Sequence, residues 1–226
     1  MAYRTGIAVA AGMCIILSGC KDLGVDAVST GPNVQINVVT PQTVLGKPAH
    51  EILHIISAKI LWDQVCLCTA AGGDSLNLHA DPLAVDLDLT AHTKLLLAGR
   101  IPAGTYDRIR FTIHEPGDSE ALPDSAFADS TQGYKRCSVV VEGLYHETPF
   151  TFRSQQSVRL EVLFTAPVTV SASGEMNITL MIDPYAWFTE GALFYDPWNQ
   201  ISEINGRIRN APIEAFRDND RNGEPD

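Results

Sequence analysis

Tyr106-Asp-Arg-Ile-Arg-Phe-Thr-Ile113 alternates apolar and polar residues. On an extended chain this sends Ile109, Phe111 and Ile113 to one face and Arg108, Arg110 and Thr112 to the other, the pattern of a half-buried strand. The turn Pro102-Ala-Gly-Thr105 leads into it. Val34-Gln-Ile-Asn-Val-Val39 repeats the pattern upstream. So does Leu83-Ala-Val-Asp-Leu-Asp-Leu-Thr90, which places Asp86 and Asp88 on one solvated face. Downstream, 137–142, 148–153, 158–164, 167–172 and 176–182 are further candidate strands. Turn residues at Glu142-Gly143, Ala166-Pro167 and Ser173-Gly174 separate several of them. Many short strands at close spacing predict an all-β sandwich or barrel. After residue 70 only short pieces near 91–98 and 185–189 approach a helical period, and 116–135 reads as a long polar loop.

Lys and Arg number 16 against 27 Asp and Glu, a net charge of −11. So acidic a chain lacks the basic surface that a nucleic-acid backbone requires, and nucleic acid is excluded as a partner. With 45% hydrophobic residues the 226-residue chain can bury a core, so wholesale disorder is excluded as well.

The N-terminus reads as an address. Arg4 and the amino terminus form a short positive region, and the apolar run from Ile7 to Leu17 is too short for a typical membrane span. It ends in Leu17-Ser18-Gly19-Cys20, which resembles the lipobox of bacterial lipoproteins. The resemblance implies cleavage between Gly19 and Cys20, acylation of the Cys20 thiol and amine, and attachment to the membrane through those acyl chains. Two or three chains hold stably where one does not. Lys21, rather than Asp, follows the anchor cysteine, which within that family points to the outer membrane. Residues 1–19 are thus the expected signal peptide. Residues 20–33 are a lipidated tether, whose stretch after the cysteine reaches at most ~45 Å.

Three segments carry a second resemblance: Val85-Asp-Leu-Asp-Leu-Thr90, Ile101-Pro-Ala-Gly-Thr-Tyr-Asp-Arg-Ile-Arg110 and Ser157-Val-Arg-Leu-Glu-Val162. Together they resemble a domain of unassigned function found in bacterial envelope lipoproteins, over roughly residues 33–183. The resemblance implies an immunoglobulin-like or transthyretin-like β-sandwich and brings no catalytic residues with it. The expected organisation is a β-sandwich domain over 34–210 and an acidic tail over 211–226.

His50-Glu51-Ile52-Leu53-His54 matches the H-E-x-x-H zinc motif. On a helix both His share a face to hold zinc, and the Glu serves as general base. Pro48 disturbs such a helix, and Ser57 and Ile60 stand where metzincins carry Gly and His. Asp63 and His79 remain as third-ligand candidates. The competing reading is a strand from Ile52 to Ile60, on which Glu51 turns away from both His. In an oxidising envelope Cys137 is expected to pair with Cys66 or Cys68, since a Cys-x-Cys bridge on a flat strand nears the Cα limit of ~6.8 Å. Thiols, or a soft-metal site completed by His54 or His79, are the alternatives.

Tyr185, Trp187, Phe188, Phe194, Tyr195 and Trp198 crowd into 183–198, between two Asp-Pro-aromatic turns. They read as a plug for the open end of the sandwich, with a glycan-stacking platform as the alternative. The C-terminus, Asp218-Asn-Asp220-Arg-Asn222-Gly223-Glu224-Pro-Asp226, resembles the start of a calcium loop and the short calcium repeats of thrombospondin type 3 segments. Asp218, Asp220 and Asn222 occupy positions 1, 3 and 5, the Glu224 carbonyl position 7 and Asp226 position 9. The competing reading is a solvated acidic tail. The expected function is non-catalytic binding or scaffolding at the envelope, toward a glycan or an envelope protein, with calcium as the candidate cofactor. A zinc-dependent hydrolase using His50, Glu51 and His54 is the alternative.

Overall fold

The computed structural model describes residues 31–41, 52–70, 74–129 and 135–226. The signal peptide, Cys20, His50 and Glu51 lie outside the described residues. In chain order the elements are β1 (Val34–Val39), β2 (Leu53–Cys68), β3 (Asp74–His79), β4 (Leu83–Asp86), β5 (Lys94–Gly99), β6 (Gly104–Ile113), β7 (Ala128–Asp129) and β8 (Lys135–Arg136). There follow β9 (Val139–Tyr145), β10 (Thr148–Ser154), β11 (Val158–Val170), β12 (Met176–Ile182), β13 (Thr189–Glu190), β14 (Leu193–Phe194), α1 (Ile201–Asn210) and β15 (Ile213–Arg217).

The protein is mostly β, as the alternation predicts, but its strands do not divide cleanly into two sheets. Eleven form one curled, mixed sheet along the path β10-β9-β2-β6-β11-β15-β12-β1-β5, with β3 and β4 also paired to β2. β1 with β12 and β11 with β15 are parallel, and the other pairs are antiparallel. Two strands make the sheet continuous. β11 pairs with β6 along most of its length and touches β15 at Phe164. The Ala166-Pro167 turn expected inside it is instead a bulge, where the pairing jumps from Leu163 opposite Arg108 to Val168 opposite Tyr106. Proline has no N–H for a ladder, and a bulge is where a strand can hold one.

β2 is the other continuous strand. Lys59 and Ile60 pair with both β9 and β4, and Trp62 pairs with both β4 and β6. β4 therefore occupies one edge, and β9 and β6 follow each other along the opposite edge. Within the stretch paired to β6, Gln64 takes a positive φ of 52° and the register slips between Asp63 and Cys66. Before this bulge Ala58, Ile60 and Trp62 enter the central core; after it Val65 and Leu67 do. The inward parity thus switches from even to odd, and Cys66 and Cys68 point away from that core.

The core fills the concave side of the sheet. Trp62 stacks on Phe111 with ring centroids 4.2 Å apart, and Phe188 closes one end against Phe150 and Phe152. A smaller cluster of Leu61, Phe127, Cys137 and Val140 lies on the other face of β2. α1 has no sequence forecast. Only Ile204 and Ile208, one helical turn apart, are buried in it, and Gly206 and Asn205 are weak helix formers. The piece near 91–98 is mainly strand β5, and that near 185–189 is a short 3-10 turn at Pro184–Trp187.

Candidate functional site

The site begins with three strands that share their inward face with the core. Ile36 and Val38 of β1, Ile178 and Leu180 of β12, and Ala215 of β15 pack inward. Alternation then sends Asn37, Asn177 and Thr179 to the outer face, with Asn37 opposite Thr179 in the parallel register. Polar residues on an outer face ordinarily meet solvent, yet these three are buried, at 1%, 7% and 0% exposure.

The chain after β15 accounts for much of that burial. Residues 211–226, expected as an acidic tail, begin with β15 inside the sheet and continue as a loop folded back on the outer face. Thr179 donates its hydroxyl to Asp218 Oδ2 at 2.7 Å. Asn177 donates Nδ2 to the Asn219 carbonyl at 3.3 Å, and Arg221 donates Nε to Asn177 Oδ1 at 3.2 Å. The loop closes where the Asp226 N–H donates to the Arg217 carbonyl and Arg217 Nε meets the Asp226 carboxylate, both at 3.1 Å.

Asp218 is the hub and is fully buried. Besides the Thr179 hydroxyl it accepts the Asn222 N–H on Oδ1 at 3.0 Å and the Gly223 N–H on Oδ2 at 3.1 Å. Asp220 accepts from Asn222 Nδ2 at 3.0 Å, and Asn222 Oδ1 accepts the Glu224 N–H at 2.7 Å. Asp226 accepts the Asn219 N–H at about 3.1 Å. Gly223 has φ +84°, and a Cβ there would lie 3.3 Å from Val39 Cγ2 and 3.4 Å from Thr93 Oγ1. Both the tight turn and the close approach to β1 require glycine.

The result is a convergence of acids. Carboxylate oxygens of Asp218, Asp220 and Asp226 lie within 4.8 Å of one another. Arg221 turns toward Gln35, Asn177 and Glu175, leaving Arg217 as the cation in contact with Asp226. Below, Asn37 Oδ1 is buried with no hydrogen-bond partner. Oxygen ligands of this number and hardness suit calcium or magnesium and do not suit a soft metal.

No family model and no curated protein matches the chain. Among solved structures, it is similar to "MbnP from Methylosinus trichosporium". The TM-score is 0.38 and the identity 12%, over 76% of this chain and 86% of that one. Likeness at that level bears on neither the fold class nor the function of this chain.

The other forecast sites fare differently. His54 stands on β2, exposed, opposite Leu144 of β9. The helix that H-E-x-x-H needs is not formed at its second histidine. Asp63 meets Nδ1 of His114 at 3.0 Å, while Nε2 of the same ring meets Glu120 at 2.7 Å. That carboxylate–imidazole–carboxylate tie fastens the loop after β6 to β2, and no local pattern announced it. The forecast bridge of Cys137 to Cys66 or Cys68 is not formed. Cys137 donates its thiol to the Phe127 carbonyl at 3.3 Å in the smaller cluster. Cys66 and Cys68 approach each other at 4.0 Å further along β2. Both groups lie on the outer face of β2, but Cys137 sits beside Leu61, several residues before Cys66 along the strand.

In the aromatic segment Tyr185, Trp187 and Phe188 are buried. The Ile55 N–H donates to the Tyr185 hydroxyl at 3.1 Å, and burial raises that phenol above its ordinary pKa. Trp198 stays 45% exposed, edge-on to Tyr145 and Phe150.

Proposed function

We propose that the protein is a lipid-anchored component of the bacterial cell envelope, held at the outer membrane through acyl chains on Cys20. Its β domain binds or scaffolds without catalysis, and calcium organises the C-terminal loop. One observation carries the calcium reading: Asp218, Asp220 and Asp226, at calcium-loop spacing, bring carboxylate oxygens within 4.8 Å of one another. The buried, unpartnered Asn37 Oδ1 on the strand beneath supports it. The donors around the loop use only part of the capacity of six carboxylate oxygens, and a cation would take the rest. An immunoglobulin-like or transthyretin-like sandwich enters as an approximation. In it β10, β9, β2 and β6 wrap one side of the core, β15, β12, β1 and β5 the other, and β11 serves both. The exposed Trp198 face is the proposed contact for a glycan or an envelope protein.

Calorimetric titration of the full chain in detergent with calcium chloride tests the reading, beside the variant Asp220→Asn/Asp226→Asn. Part of the capacity of these carboxylates is already taken by hydrogen bonds within the loop, so the expected dissociation constant is ~10⁻⁴–10⁻³ M, as in weak extracellular modules. Calcium at 10 mM should then stabilise the parent by about 1.4–2.7 kcal/mol and leave the variant unmoved. No heat and no stabilisation in the parent would reduce the motif to a structural loop.

A further inference from the structure

Beside the acidic loop, the outer face holds a groove of about 450 Å³, within the range of small-molecule sites. Its floor is one cross-strand row, because Val39 pairs with Met181 and Met181 with Glu214. Asp183 lies two residues beyond Met181 and lines the groove next to Glu214 in the row, and Pro212 completes that end. The opposite wall is the loop, which contributes Glu224.

Two features of this lining point to a ligand. The first is charge on an apolar bed. Asp183, whose Oδ1 also accepts the Tyr185 N–H, lines the groove with Glu214, Glu224 and a floor of alkyl and thioether groups, and no basic residue is among the described residues lining it. The second is Thr40. It lines the groove, is 1% exposed, and its hydroxyl has no hydrogen-bond partner in the protein. A buried hydroxyl left unpaired is costly, and native structures rarely leave one without a reason.

We propose that this groove binds a small organic cation, an alkylammonium or alkylguanidinium group. The charge repels anions. A hard metal ion needs six to eight oxygens around it, whereas Val39, Pro41, Ala91, Met181 and Pro212 put apolar side chains beside the three carboxylates. An organic cation satisfies both halves of the lining. Its N–H groups donate to the Asp183 and Glu214 carboxylates in charge-assisted bonds, and its aliphatic body lies over Met181 and Val39. Thr40, at the β1 end, gains a partner from a second polar group on the same ligand. The groove shares Asn222, Gly223 and Glu224 with the calcium loop, but the carboxylates of Asp218, Asp220 and Asp226 do not line it.

Agmatine, which carries a cationic group at each end of a four-carbon chain, is the probe. Binding to the full chain in detergent is followed by saturation-transfer NMR and calorimetry, with 1-pentanol and pentanoate as neutral and anionic comparisons. Saturable agmatine binding is expected, with neither comparison binding. Glu214→Gln should weaken it roughly 10-fold or more, as the loss of one charge-assisted bond does, and Thr40→Val should weaken it measurably. Glu214 is exposed, so its variant tests binding without disturbing the core. Absence of saturable binding at 10-millimolar agmatine would overturn the proposal. Equal binding of 1-pentanol, or agmatine binding unchanged in Glu214→Gln, would do so too. Loss of binding only in Asp220→Asn/Asp226→Asn would assign the cation to the calcium loop instead.

Discussion

Thr179, in the middle of β12, donates its hydroxyl to Asp218 at 2.7 Å across 39 residues of sequence, and neither residue exposes surface. This bond joins the last segment of the chain to the centre of the sheet. Thr179→Val keeps the shape and removes the donor, leaving a buried carboxylate oxygen short of one partner. The expected cost is about 1–3 kcal/mol, seen as a lower melting temperature. Faster hydrogen exchange should follow at the Asn222 and Gly223 amides, which donate to the same carboxylate. Thr179→Ser should restore both. If exchange at those amides is unchanged in Thr179→Val, the loop does not depend on this anchor.

Asp124 should contribute to the acid sensitivity of the fold. The Ala126 N–H, and then the Lys59 ammonium at 2.6 Å, hold its carboxyl below the ordinary 3.8. A carboxyl whose folded pKa is depressed adds stability above its unfolded pKa and loses that contribution as pH falls through the folded value. Lys59 is raised above 10.5, chiefly by its bond to Asp124, and contributes below that pH, losing its share as pH rises through the folded value. Denaturant midpoints of the parent should therefore fall below about pH 4 more steeply than those of Asp124→Asn. Parallel profiles from about pH 2 to 5 would show that other carboxyls govern the acid limb.

Short β-rich runs bounded by turn residues could be read directly: β1, β4, β6, β9, β10 and β12 all correspond to forecast segments, by alternation in β6 and by apolar β-branched runs in β9 and β12. The failures share a cause. In β2 the Gln64 bulge changes which residues face inward, so no single period covers Leu53 to Cys68. In β11 Pro167 imitates a turn that the β6 register shows to be a bulge. α1 has only Ile204 and Ile208 to signal it. The calcium spacing of the C-terminus was visible, because ligand positions are local. Its anchoring was not, because Asn177 and Thr179 become partners only once β12 lies beside β15. The groove combines β1, β12, β15 and the connecting segments at Thr40, Ala91, Asp183, Pro212 and Asn222, and no window of sequence contains it.

The plug in the aromatic segment makes a stability prediction. Phe188 is fully buried against Phe150 and Phe152, and Trp187 is 2% exposed. Truncating either to Ala should cost about 3–5 kcal/mol. Trp198→Ala, half exposed, should cost much less. A glycan-array or partner-retention assay that responds to Trp198→Ala with an unchanged melting temperature would assign the exposed ring to binding. Equal destabilisation by all three would make the whole segment core.

Anchoring is tested at Cys20. Cys20→Ser removes the thiol that the lipobox resemblance marks for acylation, and should abolish incorporation of labelled palmitate in the producing bacterium. The protein should then leave the membrane fraction or retain its leader. Continued labelling of the serine variant would disprove the lipobox reading.

Gly223 and Gly191 offer the sharpest test of the C-terminal loop. Both have positive φ, +84° and +60°. Alanine at either therefore incurs a left-handed backbone penalty of about 1–2 kcal/mol. Around Gly191 nothing lies within 4 Å of a new Cβ, so the penalty ends there. At Gly223 the methyl also meets Val39 Cγ2 at 3.3 Å and Thr93 Oγ1 at 3.4 Å. Val39 sits in β1 and cannot retreat without disturbing its ladder with β12, so the loop must move instead. That movement draws the Gly223 N–H from Asp218 and spreads the three carboxylates. Gly223→Ala should therefore melt lower than Gly191→Ala and lose calcium affinity although no ligand is altered. Gly191→Ala should keep the parent's affinity. If the two variants match in both melting temperature and calcium titration, the loop is not held against β1 as the structure shows.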